Sequence, residues 1–162
     1  MANECYNYVE YRGADAPLVY DMFKKIETIN RNQGMGALPD IEGISKEYAK
    51  YFFDIDILGH DAEYIHVRFW TKWAPPMAEL IVMAKHFQGS WDVQVEELGM
   101  WIYGKIMLDN EGNYTDVWLQ EDVFKAVEET DDCQWTYKGE VYESDYDIYE
   151  MELEKLLNSS VI

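Results

Sequence analysis

Hydrophobic and polar residues alternate most legibly between residues 64 and 108. Residues 64–70 run Tyr-Ile-His-Val-Arg-Phe-Trp, apolar and polar by turns, which predicts a half-buried strand. Met77, Leu80, Ile81, Ala84 and Phe87 then recur at helical spacing, with Val82 and Met83 widening the stripe and Glu79, Lys85 and Gln88 falling away from it. Pro75 and Pro76 suit the first turn of that helix, where a missing N–H costs nothing. No Ser, Thr, Asp or Asn directly precedes them, so the start is poorly capped. Gly89 is expected to end the helix in a left-handed conformation. Trp91, Val93 and Val95 alternate with Asp92, Gln94 and Glu96, which predicts a strand with one wet face. The connection is long enough for a crossover between parallel strands.

The rest of the chain falls into place around this unit. Tyr6, Tyr8 and Glu10 interleave with Cys5, Asn7, Val9 and Tyr11, a first strand stopped by Gly13. Leu18, Val19, Met22, Phe23, Ile26 and Ile29 predict an amphipathic helix from Asp15, its expected N-cap, to about Asn30. Residues 31–43 read as a loop. Gly34 and Gly36 within it lack the preceding strand and nearby lysine of a phosphate cradle. A short helix is expected over 45–50. Residues 52–58 alternate, with Phe53, Ile55 and Ile57 on one face, and pair with the 64–70 strand through a turn at Gly59, His60 and Asp61. Asp54 and Asp56 suit the wet face of that strand better than a calcium loop, whose spacing they lack.

Residues 100–108 form a further strand of ambiguous phase, joined by a turn at Asn110, Glu111, Gly112 and Asn113 to a strand over 114–119. A short helix follows Gln120, residues 128–132 read as an acidic break, and 135–142 is strand-like around Gly139. Ser144 is expected to cap a last helix carrying Tyr149, Leu153, Leu156 and Leu157 as its apolar stripe.

The order strand, helix, strand, strand, helix, strand predicts an α+β fold: a ferredoxin-like split βαβ antiparallel sheet with helices on one face, extended by an extra hairpin and a C-terminal helix. A single domain spans 1–162, with 1–119 as the core and its added strands and 120–162 as an acidic helical extension packed on it.

Three short motifs resemble the Api92-like family, whose core is the YubB ferredoxin-like domain. Residues 1–7 (Met-Ala-Asn-Glu-Cys-Tyr-Asn) resemble its opening, with Glu4 where a tryptophan is usual. Residues 69–76 (Phe-Trp-Thr-Lys-Trp-Ala-Pro-Pro) resemble its Trp-x-Pro-Pro segment, with Ala74 where a serine is usual. Residues 96–100, Glu-Glu-Leu-Gly-Met, followed by Gly104, resemble its acidic–glycine strand. The resemblance covers residues 1 to about 108 and leaves those after Leu119 uncovered. It implies the ferredoxin-like fold, a setting among phages, plasmids and other mobile elements, and no catalytic residues. It implies no iron–sulfur cluster, and Cys5 and Cys133 are two thiols short of the usual four. They read as free thiols of a reducing, cytoplasmic compartment.

Charge changes the picture most. Thirteen Lys and Arg against 32 Asp and Glu leave −19, and residues 121–162 alone hold 13 acids and three bases. Such a surface repels nucleic acid and anionic membranes, and its simplest role is solubility. No run is long and apolar enough to span a bilayer. His60, His66 and His86 stand outside any readable catalytic motif, and carboxylate pairs are too many to single one out. The expectation is therefore a protein that is not an enzyme and holds no cofactor or metal.

Its leading role is a protein-interaction module of a mobile element. The partner-binding surface would be Trp70, Lys72 and Trp73, although both tryptophans read first as core or staple residues. The alternative is an acidic DNA mimic that blocks a host nucleic-acid-binding enzyme. A weaker alternative is a small-molecule site on a sheet face lined by Tyr64, Trp91, Trp101 and Trp118, a face that a homodimer would also use.

Overall fold

The computed structural model describes residues 4–44 and 50–159. The short helix expected over 45–50 lies almost wholly outside them. The main sheet has the order β2-β3-β1-β4-β5-β6. Its strands are β1 (Glu4–Arg12), β2 (Phe53–His60), β3 (Tyr64–Lys72), β4 (Ser90–Glu97), β5 (Ile102–Leu108) and β6 (Tyr114–Trp118), all paired antiparallel. Helices α1 (Ala16–Gln33) and α2 (Met77–His86) are the two crossovers. β3 and β4 each run antiparallel to β1, so they are parallel to each other with β1 between them. This is the split βαβ arrangement.

The strict alternation of β1 explains its place. Cys5, Asn7, Val9 and Tyr11 are buried against the helices, while Tyr6, Tyr8 and Glu10 face the other way. They meet Val19, Phe23 and Ile26 of α1, Leu80, Met83 and Ala84 of α2, and Phe69, Trp91, Val93 and Val95 of the flanking strands in one apolar core. Tyr11 also locks the two helix connections together. Its hydroxyl donates to the Gln88 carbonyl oxygen at 2.5 Å and accepts from the Asp15 N–H at 3.2 Å.

Several local expectations change for physical reasons. Asp15 occupies the N-cap position of α1 but makes no capping bond; its carboxylate accepts the Gln88 N–H at 2.8 Å instead. α1 continues to Gln33, where Gly34 turns left-handed at φ 62°. α2 stops at His86 with an extended Phe87, so Gly89 does not close it. Gly89 is needed for close approach, since a Cβ there would run into the Arg12 carbonyl and the Tyr11 ring. Glu79, expected on the wet side of α2, is buried and accepts the Lys50 N–H at 2.5 Å.

The start of β2 also departs from simple alternation. A register shift and a left-handed Asp54 (φ 48°) interrupt the pairing with β3. Phe52 is therefore the residue stacked on Phe69 in the core, at 4.2 Å, and Phe53 turns to the opposite face from Ile55.

The C-terminal third builds a second layer. α3 (Glu121–Ala126) is followed by a small sheet of β7 (Glu128–Glu129), β8 (Trp135–Tyr137) and β9 (Glu140–Tyr142), then α4 (Asp145–Ser159). The acidic stretch at 128–129 is thus a paired strand. Ser144 Oγ accepts the Tyr146 N–H at 3.1 Å and caps α4 as expected. Phe124, Tyr149 and Leu153 pack with Tyr103 of β5 in a separate apolar cluster. Gly104, Ile106 and Leu108 lie opposite Val95, Val93 and Trp91 on the helix-covered face, whereas Tyr103 lies opposite Glu96 on the other. Both faces of β5 are covered, which is why its sequence shows no clean phase.

Gly104 sits where the Trp118 side chain crosses β5: an added Cβ would collide with the indole and with the Val117 carbonyl oxygen. Gly104→Ala is expected to destabilise the fold by about 1–3 kcal/mol through overpacking. A urea titration measures this as a lower midpoint at unchanged slope.

Candidate functional site

The face of the sheet turned away from α1 and α2 is covered only over β5 and β6, where α4 packs. Its remainder forms a grid fixed by strand register. One row is Trp70, Tyr6, Glu96 and Tyr103; the next is Arg68, Tyr8, Gln94 and Lys105; the third is His66, Glu10, Asp92 and Met107. Period-two alternation on four adjacent strands places these residues together.

Between this grid and the start of α4 lies a cleft of about 320 Å³. Glu10, Asp92, Glu96 and Glu150 line it, with Tyr8 and Tyr146 as aromatic wall and Lys105 and His66 as its basic groups. The face's cations are largely committed. Lys105 pairs with Asp92 at 3.4 Å, Arg68 with Asp56 at 2.9 Å, and Arg12 takes Glu10 at 3.0 Å. Glu96 and Glu150 hold no ion pair among the described residues.

Glu96 is 8 % exposed, and its Oε1 accepts the Tyr8 hydroxyl at 2.8 Å. Burial raises its pKa above the usual glutamate value, against the opposing pull of the Tyr8 hydrogen bond and of Arg68. The same burial, together with Glu96, pushes the Tyr8 phenol up to about 12. Tyr103 is raised as well, by burial first and then by Glu150 and Glu96; its hydroxyl accepts Gln94 Nε2–H at 2.7 Å.

The tryptophan end of this face holds the three residues singled out in the sequence. Trp70 stacks on Phe53 with ring centroids 4.1 Å apart, and its indole N–H donates to Asp54 Oδ2 at 2.8 Å. The Lys72 ammonium lies 5.9 Å from the same Phe53 ring. Trp73 follows directly, 61 % exposed and left-handed at φ 72°. Neither tryptophan is a core residue. Trp70 is half-buried on the wet face because β3 alternates there, and Trp73 lies beyond the strand end. The β2 bulge that supplies Phe53 to this platform has no signal in the alternation pattern.

The proposed aromatic face of Tyr64, Trp91, Trp101 and Trp118 does not form. Trp91 is buried under the helices, and Trp118 crosses Gly104 toward that same core. Trp101 is exposed and left-handed after the short 3₁₀ turn Leu98–Met100, with the Lys125 ammonium 5.2 Å from its ring. The aromatics of the open face include Tyr6, Tyr8, Tyr64, Trp70 and Phe53. Asp54, Asp56 and Asp61 each serve a separate neighbour: the Trp70 indole, Arg68 and the Glu63 N–H. Cys5 is buried and Cys133 exposed, and neither is in a disulfide.

A family model described as the ferredoxin-like domain in Api92-like protein matches residues 52–152. The chain belongs to this family. The matched span differs from the motifs seen in the sequence: it starts at β2, omits β1 and α1, and runs through the small sheet into α4. The C-terminal layer is thus part of the Api92-like domain. No curated protein and no solved structure matches the chain. No helix among the described residues is long and apolar enough to cross a membrane.

Glu96 makes a testable contribution to stability. Its raised folded-state pKa favours folding below the ordinary glutamate value of about 4.3, and that contribution is lost as pH rises through the folded value. Glu96→Gln removes a desolvated charge and keeps an acceptor for Tyr8. The variant is expected to melt above the wild type at neutral pH, with the gap closing as pH falls through the raised folded value of Glu96 towards the ordinary glutamate value. Paired thermal melts across pH read this directly.

Proposed function

We propose that this Api92-like protein works by protein–protein recognition, as an interaction module of a mobile element, and that the uncovered part of its sheet face meets the partner. The observation that carries this is Trp73. A bulky residue at φ 72° is strained, and a side chain 61 % exposed gains little from the core to offset the strain. Strain of about 1–3 kcal/mol held at an exposed indole marks a position kept for something outside the fold. Tryptophan is the residue type most enriched in binding hot spots. The Phe53–Trp70 stack and Lys72 extend the same surface toward the acidic cleft.

A second reading is an acidic mimic of DNA that blocks a nucleic-acid-binding enzyme. The −19 charge favours it, as does the composition of α4, which carries Asp145, Asp147, Glu150, Glu152 and Glu154 against one base of its own, Lys155. The two readings part on salt. Mimicry depends on counterion release and collapses as salt rises, whereas an aromatic hot spot persists.

Trp73→Gly relieves the backbone strain and is expected to keep or raise the melting temperature while abolishing partner capture. Lys72→Ala is expected to weaken capture without changing stability. The measurement is affinity capture of the tagged protein and both variants from host lysate, washed at low and then high salt, with mass spectrometry of what remains. A partner held at high salt by wild type and lost from Trp73→Gly supports recognition. A nucleic-acid enzyme released by salt and indifferent to Trp73 supports mimicry, and capture unchanged in both variants removes this surface from consideration.

A further inference from the structure

We infer that Asn7 and Thr71, both buried on the helix side of the sheet, are positioning residues for Trp73: a hydrogen-bond chain from β1 fixes the turn that holds its indole outside the fold. The chain stands on its own geometry; that Trp73, so held, meets a partner rests on the function proposed above.

Trp73 is the middle residue of a three-residue turn. The Ala74 N–H donates to the Lys72 carbonyl oxygen at 3.0 Å, and with Trp73 at φ 72° this is the positive-φ form of the γ-turn, which is rare because it is strained. Such a conformation persists only where its surroundings over-determine it. Two side chains grip the turn, one on each side of Trp73. The Lys50 ammonium donates to the Lys72 carbonyl oxygen at 2.9 Å, and the Thr71 hydroxyl donates to the Ala74 carbonyl oxygen at 2.8 Å. Lys50 reaches in from the surface, whereas Thr71 is fully buried.

Asn7 sets the direction of the second grip. Its Nδ2 donates to the Cys5 carbonyl oxygen at 2.9 Å and to Thr71 Oγ1 at 3.2 Å. A carbonyl oxygen only accepts, so Cys5 fixes which end of the Asn7 amide is nitrogen. The second amide hydrogen then points at the Thr71 oxygen, and the single hydroxyl proton is turned onto Ala74. The chain from Asn7 through Thr71 to Ala74 therefore runs one way, each bond polarising the next.

The core alone does not account for Asn7. It stands in the buried row of β1 with Cys5, Val9 and Tyr11, opposite Phe69 and Val95, and is fully buried. Its Oδ1 is buried too and has no hydrogen-bond partner among the described residues. An apolar side chain of similar size would fill the same row without an unpaired oxygen. What the amide supplies is its nitrogen, and that nitrogen serves the Trp73 turn.

The test follows the Trp73 backbone in the ¹⁵N,¹³C-labelled full chain, through cross-relaxation between its own amide and α protons, which lie closest when φ is positive. Wild type is expected to give a strong Trp73 cross-peak. Thr71→Val and Asn7→Leu are each expected to weaken it by roughly half or more as Trp73 relaxes to negative φ, and Thr71→Ser, which keeps the hydroxyl, to retain it. The double variant Asn7→Leu/Thr71→Val removes both partners at once. It is expected to melt at or above the wild type with the cross-peak no weaker than in Thr71→Val, because both residues act through one chain. A merely structural pair would lower the melting temperature and leave φ at Trp73 as it is. An undiminished cross-peak in Thr71→Val, in Asn7→Leu or in the double variant overturns the inference.

Lysate capture separates this inference from the function it rests on. A complex lost from both Trp73→Gly and Thr71→Val supports the two together. A complex lost from Trp73→Gly but kept by a Thr71→Val protein whose cross-peak has weakened overturns the positioning role and leaves recognition standing. A complex kept by Trp73→Gly overturns recognition through Trp73, while the cross-peaks still decide whether Asn7 and Thr71 hold the turn.

Discussion

The arrangement depends on β1 being hydrogen-bonded along both edges. β3 and β4 are parallel and are joined by α2, but they never touch; β1 fills the gap, paired from Glu4 to Arg12 on one side and from Tyr6 to Arg12 on the other. The family match begins at β2 and so contains both flanking strands without the strand that joins them. Remove β1 and the sheet parts into the β2–β3 hairpin and the three-stranded β4–β5–β6 meander, and the grid of the open face loses its column of Tyr6, Tyr8 and Glu10. The core fold and the candidate site thus share one element, and Tyr11 on that element also ties the two helix connections together.

The same strand shows how fold and site divide a single alternation. Its odd positions build the apolar core and its even positions supply tyrosines and a carboxylate to the other face. That division leaves Glu96 in a conflict. β4 alternation directs it to the open face, where Tyr8 and the cleft wall crowd it, so the carboxylate is largely desolvated and gains one hydrogen bond, from Tyr8, in return. Trp73 carries a conflict of another kind, an exposed aromatic in a backbone conformation that suits glycine. Such local inconsistencies are where a chain that otherwise agrees with its fold is expected to hold its function.

Legibility followed the number of wet faces. β1, β3 and β4 have one face against the helices and one open, and their residues alternated plainly enough to give the strands, their pairing and the split βαβ order. β5 is covered on both faces, so Tyr103 and Ile106 are both buried and no phase shows. The β2 bulge was invisible because an inserted residue leaves composition unchanged while moving Phe53 to the other face. Trp70, Lys72 and Trp73 were found through motif resemblance and residue type. The cleft was missed because Glu10, Glu96 and Glu150 lie far apart in the chain, among 32 acids with nothing local to distinguish them. Only the register of β1 on β4, and α4 folding back over them, brings them together.

The central claim is that the uncovered part of the sheet face is the surface that meets a partner. Hydroxyl-radical footprinting of the protein, alone and in its salt-stable complex, tests it most directly, because side chains on several faces are exposed enough to react. Protection of Trp73, Trp70 and Tyr146, with Leu18, Ile29 and Met35 on the helix side unchanged, is the predicted result. Protection of Leu18, Ile29 and Met35 with Trp73 as reactive as in the free protein would contradict the account.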